Sequence, residues 1–168
     1  MAAGATYNCL ATTTSSGSSP TIVFSNISQS YTDLVMVISG KSVAGAGYWD
    51  VQFNTDTSSG STNYGFVRLI GFGSTVLSDR YSNFKSWEPS IGEDQGTMII
   101  NFQNYSNTTT YKSGLWRGRT SNSSPSAELS CGVWKNTAAI NTITLTSNNG
   151  STNLPAGTIY TLYGIAAA

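Results

Sequence analysis

Glu88, Glu93, Asp94 and Glu128 are the side chains whose types could do chemistry in this chain. Two carboxyl groups flanking a glycosidic bond can cleave it, one as acid and the other as nucleophile or base. Their settings argue against that role. Glu88 precedes Pro89 and Glu93-Asp94 precedes Gly96, in what reads as a solvated loop. Other chemistries fail on composition. Histidine is absent, so no serine–histidine triad can be assembled within the chain. Two cysteines cannot supply the four ligands of an ordinary zinc site. The loop Asn54-Thr55-Asp56-Thr57-Ser58 has the oxygen ligands of a calcium loop, but Ser59 stands where glycine is needed and Gly65 where glutamate is needed. No glycine-rich stretch has the spacing and lysine of a phosphate loop, and Gly71-Phe72-Gly73 and Gly45-Ala46-Gly47 read as turns. The expectation is a protein with no catalytic residue, no metal and no cofactor.

Binding chemistry rests on aromatics and arginines. Tyr48, Trp49, Trp87 and Trp116 could present flat faces to sugar rings, and Trp116 lies between Gly114 and Gly118, which leaves its face uncrowded. The same rings also suit a core or a subunit interface, the preferred reading for Trp49 and Trp116. Trp87, beside Pro89 in a loop, is expected to be the exposed one. Arg117 and Arg119 alternate with Leu115 on one strand face and read as an interface edge as much as a ligand clamp. Tyr48, Trp49, Trp87, Trp116, Arg117 and Arg119 form the candidate contact surface.

The elements that must position these residues are strands. Eight basic residues balance eight acidic ones, and only 10% of the chain is charged. A neutral surface attracts neither nucleic acid nor anionic lipid, so neither is expected as a partner. Solubility must come from serine, threonine and asparagine, which make up more than a third of the chain. With 39% hydrophobic and 11% aromatic residues, this composition reads as a folded β-protein with hydroxyl-clad outer faces, not as disorder. A length of 168 residues suits one domain, residues 1–168. Met1 to Thr6 lacks the basic and apolar regions of an export signal. The longest strongly apolar run, Leu34–Ile38, is too short to span a bilayer.

Short β-branched and aromatic runs recur between glycine, serine and asparagine clusters, and helical periodicity is nearly absent. They predict strands at Tyr7–Thr13, Thr21–Phe24, Leu34–Ser39, Trp49–Phe53, Gly65–Phe72, Val76–Tyr81, Met98–Tyr105, Lys112–Arg119, Glu128–Trp134, Thr142–Ser147 and Thr158–Ile165. Alternation assigns Met98, Ile100 and Phe102 to one face, and Trp49, Val51 and Phe53 to another face opposed by Asp50 and Gln52. Leu129, Cys131 and Val133 oppose Ser130 and Gly132, and Ile143 and Leu145 oppose outward threonines. Leu34–Ile38 is apolar on both sides and should be a central strand, covered on its second face by a loop, another strand or a neighbouring subunit. Cys9 and Cys131 read as small buried residues in strands, with a disulfide between them as the alternative. Asn149-Gly150 is the strongest two-residue turn signal, and Ser121–Ser126 is a turn-rich link. The expected fold is all-β, an antiparallel β-sandwich of jelly-roll type with about ten or eleven strands.

Five stretches carry a resemblance. They are Phe24-Ser25-Asn26-Ile27, Tyr31-Thr32-Asp33-Leu34, Phe53 to Ser59 ahead of Tyr64, Trp134 with Asn136 to Ile140 ahead of Ile143-Thr144-Leu145, and Ala156 to Ile165. Across Tyr7 to Ile165 the chain resembles bacteriophage structural proteins found as virion decoration, head-fibre or tail-fibre-associated domains. Leu162-Tyr163-Gly164-Ile165 is the most specific part. The resemblance implies a β-sandwich in a phage particle, commonly in a threefold arrangement, and implies no catalytic residues. Within it, Asp33 should cap local backbone amides, Gly164 should admit a closely packed ring or backbone, and Trp134 should plug one end of the sandwich. The expected role is a non-enzymatic capsid decoration or cement protein bound to other virion proteins, the major capsid protein first among them. It is expected to be a homotrimer with Val35 and Val37 or the aromatics at the contact, assembled in the host cytoplasm and resident in the virion. The alternative is a receptor- or carbohydrate-binding module of a tail or head fibre, with a glycan as partner.

Overall fold

Side chains that alternate between apolar and hydroxyl-bearing types favour extended backbone with one dry and one wet face. Among the described residues of a computed structural model they form eleven strands: β1 (Tyr7–Thr14), β2 (Thr21–Phe24), β3 (Asp33–Gly40), β4 (Trp49–Phe53), β5 (Tyr64–Phe72), β6 (Thr75–Phe84), β7 (Gly96–Gln103), β8 (Lys112–Thr120), β9 (Ser126–Trp134), β10 (Ile143–Ser147) and β11 (Ile159–Ile165). The structure describes residues 6–42, 48–91, 95–120, 125–147 and 150–166, without the side chains of Arg119 and Thr120. Glu93, Asp94, the Gly45-Ala46-Gly47 turn, Asn149 and most of the Ser121–Ser126 link lie outside the described residues.

The strands make two antiparallel sheets, one ordered β1-β11-β3-β7-β8-β9-β5-β6 and one ordered β2-β10-β4. A jelly roll divides eight strands between two sheets through paired Greek keys; here eight strands lie in one sheet and three in the other. The layers meet through Met36, Ile38, Met98, Ile100, Phe102 and Leu162 on the large sheet and Phe24, Val51, Phe53, Ile143 and Leu145 on the small one, all buried. Phe53 meets Phe102 edge-on at 5.8 Å between ring centres, and Trp49 meets Tyr160 at 6.2 Å.

β3 is central, held between β11 and β7. Val35, on its outer face between Tyr163 and Asn101, is already buried within the chain, and Val37 is half-buried. Val35 therefore cannot supply the exposed apolar contact expected of it. Gly164 behaves as anticipated: a Cβ there would stand 2.5 Å from the Tyr31 ring, which lies flat on its backbone. Asp33 caps an amide from a distant turn instead of a local one, accepting a hydrogen bond from the backbone NH of Asn104 at 2.6 Å.

Two expectations about strand faces are corrected. The Trp87–Ser90 segment is no solvated loop. Val51 and Trp87 exchange backbone hydrogen bonds of 2.9 and 3.1 Å, and Trp49 NH donates to Pro89 at 3.1 Å, so the segment extends the small sheet beyond β4. Lys85 and Ser86, just before it, hydrogen-bond to Asp50 and Gln52, which are buried although they face away from the core. The second correction concerns β9, whose phase is reversed. Ser126, Glu128, Ser130, Gly132 and Trp134 face inward, while Leu129 and Cys131 are exposed. Volume explains the reversal. A Cβ on Gly132 would meet Trp87 at 2.7 Å and Trp116 at 2.8 Å, and one on the paired Gly114 would meet Trp87 at 2.6 Å. Two indole rings fill the space above this strand pair, so only small residues fit beneath them.

Candidate functional site

The tryptophans assigned to the contact surface belong to the core. Trp49, Trp87 and Trp116 are all 0% exposed. Trp87 stacks on Trp116 at 5.6 Å and on Phe102 at 6.0 Å, and Phe53 points its edge at the Trp87 face from 4.8 Å. A buried indole NH needs an acceptor. Trp87 Nε1 donates to the Val133 carbonyl at 3.1 Å, Trp116 Nε1 to Glu128 Oε1 at 2.7 Å, and Trp134 Nε1 to Asp56 Oδ2 at 2.7 Å. Trp134 is buried at the close of β9.

Tyr48 is half-buried, with the Arg68 guanidinium 4.8 Å over its ring. Arg68 also pairs with Asp79 at 2.8 Å. Arg117 is exposed on the outer face of β8. Arg119 occupies the same strand, its backbone paired with Thr97 and Ala127, and its side chain is outside the described residues. The three buried tryptophans, half-buried Tyr48 and exposed Arg117 therefore do not converge on one surface.

Of the carboxylates, Glu88 and Glu128 come into electrostatic reach of one another and of Arg68. Burial pushes the Glu128 carboxyl above its ordinary value, against the opposing pull of its bonds from Trp116 and Ser130 and of Arg68. Burial also raises Glu88, with the nearby Asp50 charge adding to it. A carboxyl held protonated can serve as an acid. Yet Glu128 is buried, and its Oε1 already accepts from Trp116 and from Ser130 Oγ at 3.0 Å. That arrangement anchors the indole.

The reversal of β9 builds the strongest candidate site. On the outer face of the large sheet, Leu129 of β9 lies opposite Leu69 of β5, and Cys131 lies opposite Val67. Val67 in turn faces Arg80 of β6, and Gly71 faces Val76. Leu69, Leu129, Val67, Val76 and Cys131 are all exposed, with Val76 at 71%. Arg80 on one flank and Arg117 on the other, both exposed, edge this apolar strip. The sequence reading missed it by turning Leu129 and Cys131 inward. Gly114 and Gly118, two residues either side of Trp116, and Gly132, two residues before Trp134, were the available signal for the true phase. Both cysteines are free and exposed, contrary to the expectation of burial; Cys9 lies on β1 at the far edge of the same sheet.

No family model matches the chain, and no curated protein matches it. Among solved structures, a protein described as of unknown function from Shewanella oneidensis MR-1 is similar over 98% of this chain and 77% of that one, at 8% identity and a TM-score of 0.25. A likeness that slight carries no argument about fold or role.

Proposed function

We propose that the chain is a non-enzymatic structural component of a bacteriophage virion, a decoration or cement protein that binds the outside of the head and ties neighbouring subunits of the major capsid protein together. The observation that carries this reading is the exposed apolar strip of Leu129, Cys131, Val67, Leu69 and Val76 on a chain whose surface is otherwise rich in hydroxyl groups. Contiguous exposed apolar groups rimmed by polar ones mark protein contact surfaces. Burying them contributes about 25 cal/mol per Å² of apolar area, and no charge need be stranded in doing so. The mechanism is passive: each contact adds binding free energy that resists the outward pressure of packaged DNA. A sandwich wedged by stacked indoles orders little extra chain on binding, which keeps the entropic cost of attachment low. The copies act as a homotrimer.

A receptor- or carbohydrate-binding module of a tail or head fibre is the alternative. With Trp49, Trp87 and Trp116 inside the core, it would have to recognise its ligand through other side chains.

Co-sedimentation with emptied heads of the phage that encodes the protein tests the proposal. Saturable attachment is expected, lost in a Leu69→Asp, Leu129→Asp double variant that melts like the parent. Failure of the parent to attach, or attachment untouched by the double variant, overturns it.

A further inference from the structure

We infer that the outer face of the three-stranded sheet carries a groove for a neutral, polyhydroxylated ligand, a sugar ring of a glycan chain. The groove has a volume of about 370 Å³, within the range of small-ligand sites. Its floor is the wet face of β2, β10 and β4. Thr144 lies opposite Gln52, and Thr146 lies between Asp50 and Thr21. Pleated geometry spaces such positions about 5 Å apart across strands and about 7 Å along them, so the floor offers a grid of hydroxyl and amide groups. Thr57 and Ser59, from the loop after β4, form one wall, and Lys85 forms the other.

Three observations select the ligand class. The first is charge. Lys85 Nζ lies 2.7 and 2.8 Å from the two carboxylate oxygens of Asp50, which also accepts from Ser86 Oγ at 2.7 Å. The site is thereby neutral, and an ionic ligand would have to compete with this pair. The second is unused hydrogen-bonding capacity. Gln52 Nε2 donates to the Lys85 carbonyl at 3.0 Å, whereas its Oε1 and the hydroxyls of Thr57, Ser59 and Thr144 take no partner among the described residues. Hydroxyls both donate and accept, as do the hydroxyls of a sugar, while an apolar partner would leave all of these groups unmatched. The third is preorganisation. Asn54, in the left-handed region at φ 54°, accepts from the backbone NH groups of Asn141 and Thr142 and donates to the Ala139 carbonyl. Together with the Asp56–Trp134 bond it holds the loop that carries Thr57 and Ser59 in place before any ligand arrives.

No aromatic ring lines the groove, so each site is weak, and several copies displayed together supply the avidity. This inference does not rest on capsid attachment. The groove and the apolar strip belong to different sheets, and a protein bound through one leaves the other open.

The test displays the protein on beads at high density against an array of neutral and acidic glycans, followed by titration of the neutral glycan retained. Saturable binding to a neutral glycan is expected, weakened about tenfold by loss of one hydrogen bond in Thr144→Val, and likewise in Ser59→Ala, while Tyr111→Ser, at an exposed position outside the groove, leaves it unchanged. Should Thr144→Val melt early, Ser59→Ala on the loop carries the comparison. Retention of no neutral glycan, retention of acidic glycans alone, or neutral binding that survives Ser59→Ala overturns the inference.

Discussion

A methyl group on Gly132 would stand 2.7 Å from Cε2 and Nε1 of Trp87 and 2.8 Å from Cζ3 of Trp116, both fully buried in the core. Gly132→Ala is therefore expected to cost about 1–3 kcal/mol through overpacking, read as a lower urea midpoint with an unchanged slope. Trp87→Ala errs the other way and leaves a cavity, at about 3–5 kcal/mol. Glu128 yields a pH prediction. Its folded carboxyl titrates above the ordinary value, because burial disfavours the charge more than Trp116, Ser130 and Arg68 favour it. The stability it contributes is complete below the ordinary value and is lost as pH rises through the raised one. Glu128→Gln imitates the protonated form and keeps an oxygen for the Trp116 NH. It should melt higher than the parent at pH 7 and equal to it at pH 3.5, as followed by near-ultraviolet dichroism.

At the scale of elements, the loop between β4 and β5 depends on its carboxylate. Asp56 Oδ2 takes hydrogen bonds from Trp134 Nε1 at 2.7 Å and Asn63 Nδ2 at 3.0 Å, while the Asp56 carbonyl accepts from the Tyr64 hydroxyl at 2.9 Å. Partial burial pushes the Asp56 carboxyl up, but the bonds from Trp134, Ser61 and Asn63 together outweigh it and hold the group below its ordinary value. A lowered carboxyl stabilises above its ordinary value, and that support fades as pH falls through the folded one. Asp56→Ala would strand the buried Trp134 NH, at a cost of about 1–3 kcal/mol at pH 7, and the variant should lose less than the parent on acidification in denaturant titrations. β9 shows a different dependence. Its sequence, read alone, puts Leu129, Cys131 and Val133 on the dry side, which is the natural choice by hydrophobicity. Space decided otherwise, since Trp87 arrives from another sheet and Trp116 from the neighbouring strand.

For the whole molecule, the proposed role makes the apolar strip the face that meets capsid subunits. Cys131 lies within it and Cys9 lies on β1 at the opposite edge of the sheet, both exposed. Maleimide should label both thiols in the free protein, and attachment to heads should protect Cys131 while Cys9 still reacts, as counted by intact mass. Sedimentation equilibrium at micromolar concentration should give a trimer; a monomer would count against the threefold assembly.

Eleven strand positions, the central place of β3, the inward sets Met98-Ile100-Phe102 and Ile143-Leu145, and the ring packed on Gly164 were all legible in the order of residues. Each depends on period-two alternation or on a glycine beside bulky neighbours, which are properties of one segment. The division into sheets of eight and three, the inversion of β9, the burial of Trp87 and the groove over β10 were decided only when distant segments came together. The physical reason is that a side chain's preference for water is local, whereas the volume available to it is set by whatever else occupies that space. Trp87 took the room above Gly114 and Gly132, and Leu129 and Cys131 were left outside.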